Sequence, residues 1–80
     1  MQAFVQIATD TIHTQKILEE LNKLPEIKEV YMLFGEWDIL ARVEVKDSEQ
    51  LGNFVVNKIR SIEGVRTTST QIVAKTAKKE

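Results

Sequence analysis

The two halves of this 80-residue chain carry one apolar pattern twice, 38 residues apart. Leu21, Leu24, Ile27 and Val30 recur as Ile59, Ile62, Val65 and Thr68, and Ala3, Val5 and Ile7 recur as Ala41, Val43 and Val45. Thr9, a helix-cap candidate, falls on Asp47 at the same offset. A chain that repeats itself this way is restricted to architectures made of two like units.

Each unit switches from a period of two to a helical period. Ala3, Val5 and Ile7 alternate with Gln2, Phe4 and Gln6, which predicts a first strand. Thr9, Asp10 and Thr11 are N-cap candidates for a helix carrying Ile17, Leu18, Leu21 and Leu24. Pro25 ends that helix, because the residue before a proline is pushed out of the α region. Residues 27–34 and 37–45 predict the second and third strands. Asp47 caps a second helix, with Gln50 at the capping-box spacing. Its stripe is Leu51, Phe54, Val55, Ile59 and Ile62, and Gly64 closes it. Residues 65–74 predict a fourth strand, and residues 75–80 a frayed polar tail. The order β-α-β-β-α-β, as two split β-α-β units, predicts an α+β ferredoxin-like domain over residues 1–74. Right-handed crossovers place both helices on one face of its four-stranded antiparallel sheet.

A two-residue loop at Gly35–Glu36 would pair Phe34 with Trp37, Met32 with Ile39 and Val30 with Ala41, all on the helix-covered face. The opposite face then holds Phe4, Gln6, Glu29, Tyr31, Leu33, Asp38, Leu40, Arg42, Glu44, Ser69, Gln71 and Val73, with Glu29 across from Arg42. Phe4, Tyr31, Leu33 and Leu40 make that face apolar enough to predict sheet-to-sheet packing in a homodimer. An 80-residue domain buries only about 60% of its unfolded surface, so self-association is an ordinary remedy.

With 42% hydrophobic and 29% charged residues the composition is that of a soluble globular domain. A formal net charge of −1 is a poor footprint for nucleic acid. Lys23, Lys28, Lys58, Arg60 and Arg66 lack interleaved exposed aromatics, which argues against RNA recognition. The absence of cysteine excludes disulfides and thiolate metal sites. A lone His13 gives a transition-metal site little support. No cofactor motif, nucleophile–His–acid set, targeting segment or membrane span is legible, so the expectation is a cytoplasmic non-enzyme without cofactor.

The one cluster with chemistry is Gly35-Glu36-Trp37-Asp38. It has two readings. Gly35 can supply a positive φ while Trp37 caps the core and Asp38 bonds a turn amide. Alternatively, free turn amides bind a carboxylate, Asp38 pairs with an ammonium group and Trp37 is an apolar wall, which together suit a zwitterionic amino acid. Spacing does not choose between them. Thr68 and Thr70 align by the repeat with Val30 and Met32, which puts hydroxyls on the core-facing side where they need partners.

These residues resemble the ligand-binding RAM domain of Lrp/AsnC transcription regulators over about residues 2–74. The carriers are Leu24-Pro25-Glu26-Ile27-Lys28-Glu29-Val30, Gly35-Glu36-Trp37-Asp38 and Gly64-Val65-Arg66-Thr67-Thr68-Ser69-Thr70. Trp37 stands where the family usually has tyrosine. The resemblance implies dimerisation through the sheets, assembly of dimers into rings such as octamers, and amino acids or related metabolites bound where dimers meet. It makes Gly35, Trp37, Asp38, Thr68 and Thr70 the pocket candidates, with Glu36 beside the ligand. Full-length family members carry a helix-turn-helix before this domain. The chain starts at the RAM segment, so the expectation is a stand-alone amino-acid-sensing module that acts through a partner such as a full-length relative. The alternatives are an interaction module without ligand and a dimeric α+β-barrel enzyme. With a two-residue loop, Trp37 and Asp38 face opposite sides of the sheet, so a site shared with a neighbouring subunit is expected.

Overall fold

The computed structural model describes residues 1–77. Strand β1 (Gln2–Thr9) leads through a single 3-10 turn (Thr11–His13) into helix α1 (Thr14–Asn22). Strands β2 (Ile27–Met32) and β3 (Ile39–Glu44) follow. Helix α2 (Ser48–Phe54) widens into a π turn (Val55–Ile59), and β4 (Val65–Ile72) completes the sheet. The strands are antiparallel in the order β2-β3-β1-β4, a ferredoxin-like α+β fold.

Alternation decides the faces. Ala3, Val5 and Ile7 of β1 and Ile39, Ala41 and Val43 of β3 are fully buried. They form one core with Ile17 and Leu21 of α1 and Leu51, Phe54, Val55 and Ile59 of the second helix. Each large aliphatic side chain buried there contributes about 1.5–3 kcal/mol relative to exposure. Val30 pairs with Ala41 and Met32 with Ile39, as the apolar pattern predicts. On the open face the register sets Glu29, Arg42, Phe4 and Gln71 in one cross-strand row, and Tyr31, Leu40, Gln6 and Ser69 in the next. Phe4, Leu33 and Leu40 are half-buried there and Tyr31 is exposed.

Glu29 and Arg42 form the expected cross-strand ion pair, Oε1 to Nε 2.7 Å. The Arg42 hydrogen bond, helped by the Tyr31 phenol, holds the Glu29 carboxyl below its ordinary value of 4.5. A carboxylate with a depressed folded value stabilises the fold above the unfolded value, and that contribution disappears as pH falls through the folded one. Glu29→Gln therefore flattens the acid side of the stability curve. Thermal melts from neutral pH to below 4.5 should show wild type losing more than the variant.

Several element ends differ from expectation. Asp10 makes no side-chain cap. Its N–H donates to the Gly64 carbonyl (2.8 Å) and its carboxylate faces Arg66 (3.7 Å), so α1 starts one turn later. That helix runs to Asn22 with Lys23 still αR at its C-cap, and it closes ahead of Pro25 as Lys23 and Leu24 donate three residues back to Glu20 and Leu21. Asp47 does cap α2, accepting from the Gln50 N–H, while Gln50 Oε1 accepts from the Lys46 N–H. The second helix ends at Ile59 rather than at Gly64, its last turn closed by Arg60 N–H to the Val55 carbonyl. Ile62 packs on the core from the connecting turn, and Gly64 (φ +97°) enters β4. Of the predicted tail, residues 75–77 have no regular structure and residues 78–80 lie outside the described residues.

Candidate functional site

The β2–β3 connection is wider than a two-residue loop. The paired register ends at Met32–Ile39. One further bond, Leu33 N–H to the Asp38 carbonyl (2.8 Å), closes a loop of residues 34–37. Asp38 explains the width, because it is drawn toward β1. Its N–H donates to the Ile7 carbonyl (3.0 Å), and its Oδ2 accepts the Thr9 N–H (2.8 Å). The carboxylate thus supplies the acceptor where the β1–β3 ladder runs out. Thr9 is buried, and its hydroxyl lies 2.6 Å from that of Thr14.

The released loop redistributes its side chains. Phe34, expected on the core face opposite Trp37, is fully exposed at 107%, and Met32 is 48% exposed. Gly35 takes φ +143°, and a Cβ there would meet nothing within 4 Å, so backbone conformation is what glycine serves at this position. Trp37 is half-buried and lines a cavity of about 230 Å³ with Glu36, Ala8 and Thr67. Ala8 and Thr67 are a register pair on the open face. Trp37 is therefore not the core cap that a two-residue loop requires.

Thr68 pairs with Ile7 and Thr70 with Val5, which places both threonines on the helix-covered face. Thr68 is half-buried and Thr70 exposed. The structure thus brings Glu36 and Trp37 together at the end of the sheet, anchors Asp38 beside them and leaves Thr68 and Thr70 on the other side. The sequence does not single out Ala8, and it offers Thr67 only within the Gly64–Thr70 segment, not as a pocket candidate. Their parity was the available signal, since both fall on the face assigned to Gln6, Ser69 and Asp38. His13 packs against Gly64 instead, with its Nδ1 3.9 Å from Asp10 Oδ2. Among the described residues no three His, Cys, Asp or Glu side chains gather where a metal ion could sit, and no helix is long and apolar enough to cross a membrane.

A family model described as the Lrp/AsnC ligand binding domain matches residues 2–80. The chain belongs to the Lrp/AsnC ligand-binding domain family. An uncharacterised HTH-type transcriptional regulator of Pyrococcus abyssi is 35% identical over 98% of this chain, which covers 54% of that protein. The chain thus spans about half the length of the curated regulators it matches. A Thermus thermophilus protein of known structure is 35% identical, with TM-score 0.91 and 98% of each chain covered. A transcriptional regulator of Neisseria meningitidis, solved as its L-Met complex, is 25% identical with TM-score 0.89, covering 98% of this chain and 52% of that one. A homocitrate synthase of Sulfurisphaera tokodaii also contains a similar segment, 33% identical over 94% of this chain and 16% of the enzyme. Segments similar to this chain thus occur within regulators and within at least one enzyme sequence.

Proposed function

We propose that this Lrp/AsnC ligand-binding domain is a cytoplasmic, self-assembling effector sensor. An amino acid or related metabolite binds at the Glu36–Trp37 end of the sheet and shifts assembly or partner choice. The match of a ligand-binding domain family to nearly the whole chain carries this reading, and the L-Met complex of the Neisseria relative supports an amino acid as the ligand class. The open face, with Phe4, Tyr31, Leu33 and Leu40, is the surface for a homodimer. Phe34 and Met32, exposed around the β2–β3 loop, suit contact between dimers in a ring such as an octamer. Its transcriptional role runs through a partner, such as a full-length relative, rather than through direct DNA contact, given the net charge of −1.

An effector changes an equilibrium only by binding one state more tightly than the other. A thermal-shift screen of the proteinogenic amino acids, paired with native mass spectrometry, tests both halves of the reading. At least one amino acid should raise the melting temperature by several degrees and change the distribution of assemblies. A flat screen leaves a pure interaction module as the better description.

The similar segment in homocitrate synthase favours one further reading, in which the regulated partner is an enzyme. A catalytic role for this domain itself has less support. His13 lies against Gly64, and the shifted carboxylate, Glu29, is held by Arg42 on the open face.

A further inference from the structure

We propose that the cavity at the sheet's end selects an amino acid with a cationic side chain, and that Glu36 and Trp37, not Asp38, recognise the cation. The inference rests on the reading of this cavity as the ligand site. Its lining combines a carboxylate (Glu36), an indole (Trp37), a methyl group (Ala8) and a hydroxyl (Thr67). An indole face attracts ammonium and guanidinium groups through its quadrupole, and tryptophan does so best among the aromatic residues. A carboxylate beside it adds a charge-assisted hydrogen bond.

Asp38 does not line the cavity, and its Oδ2 already accepts the Thr9 N–H. Glu36 is exposed on the loop, and its carboxylate is available. The nearest basic side chain along the strand that carries Thr67 is Arg66, which faces the Asp10 carboxylate at 3.7 Å. The cavity is therefore acidic and aromatic, with no cation in its lining among the described residues, which suits a lysine or arginine side chain better than an apolar one.

Trp37 is the only tryptophan, so its fluorescence reports on the cavity directly. Titrations with lysine, arginine, norleucine and cadaverine separate the sources of positive charge. Norleucine keeps the α-ammonium and loses the side-chain cation, and cadaverine keeps the cations and loses the carboxylate. Lysine or arginine should change Trp37 emission saturably and raise the melting temperature, with norleucine at least about tenfold weaker. Glu36→Gln should weaken lysine by about tenfold or more. Trp37→Leu, followed by thermal shift, should lose the preference for lysine over norleucine while keeping an apolar wall. Norleucine binding as tightly as lysine, or cadaverine binding as tightly as lysine, overturns the proposal. So does an unchanged lysine affinity in Glu36→Gln. If other amino acids stabilise the protein while lysine and arginine do not, the sensor reading stands and this selectivity fails. If no amino acid acts, both fail.

Discussion

Replacing Gly64 by alanine should lower the melting temperature by roughly 10–25 °C, for a loss of about 2–4 kcal/mol. Two penalties combine at this position. Gly64 holds φ +97°, where an L side chain is strained, at a cost of about 1–2 kcal/mol. A Cβ added there would also fall on His13 Cβ and lie 2.7 Å from His13 Cγ. Overpacking of this kind typically costs about 1–3 kcal/mol. Neither group can simply step aside. The Gly64 carbonyl accepts the Asp10 N–H at 2.8 Å, so the turn before β4 is pinned to the end of β1.

Second-site variants divide the two penalties. The clash begins at the His13 Cβ, so His13→Ala retains it and His13→Gly removes it. Only His13→Gly should partly rescue Gly64→Ala, and the unrescued remainder measures the backbone strain. Gly52 provides the opposite control. It lies inside α2, and a Cβ there meets nothing within 4 Å. Gly52→Ala should therefore stabilise the domain by about 0.5–1 kcal/mol through helix propensity.

The pairing of Asp10 with Gly64 also shows what the sequence could not disclose. The alternation of β1 and β3 and the Asp47–Gln50 cap are local patterns, and each appears as written in the chain. So does the parity that puts Thr68 and Thr70 with Ile7 and Val5 on the helix side. Thr9, the repeat's counterpart of Asp47, instead ends β1 and caps no helix. The start of α1 and the width of the β2–β3 loop are decided by contacts between distant segments. Asp10 looks like an N-cap, yet its N–H and carboxylate are committed to the far end of the chain at Gly64 and Arg66. Gly35–Glu36 looks like a tight hairpin loop, yet Asp38 is held by Ile7 and Thr9, about thirty residues away in sequence. The same displacement that widened the loop took Phe34 out of the core and gave Trp37 its place beside Ala8 and Thr67. The motif was legible from sequence, and its division of labour was not.

That division makes Asp38 the position where its structural role and the proposed ligand role can be pulled apart. Asp38→Ala leaves the buried Thr9 with an N–H that has lost its acceptor. A buried donor left unsatisfied costs about 1–3 kcal/mol, or roughly 5–20 °C for a domain of this size. Loss of ligand response in that variant would say little about ligand contact, because the loop that carries Glu36 and Trp37 loses its anchor. Asp38→Asn is the informative change. Its side-chain carbonyl can still accept the Thr9 N–H while the negative charge is gone. We expect Asp38→Asn to melt within a few degrees of wild type and to keep its amino-acid-induced stabilisation, with Asp38→Ala low in both. Amide exchange at Thr9 should separate them further, fast in Asp38→Ala and protected in Asp38→Asn. A fully folded Asp38→Asn that has lost all ligand stabilisation would return the cation-binding role to Asp38 and take it from Glu36.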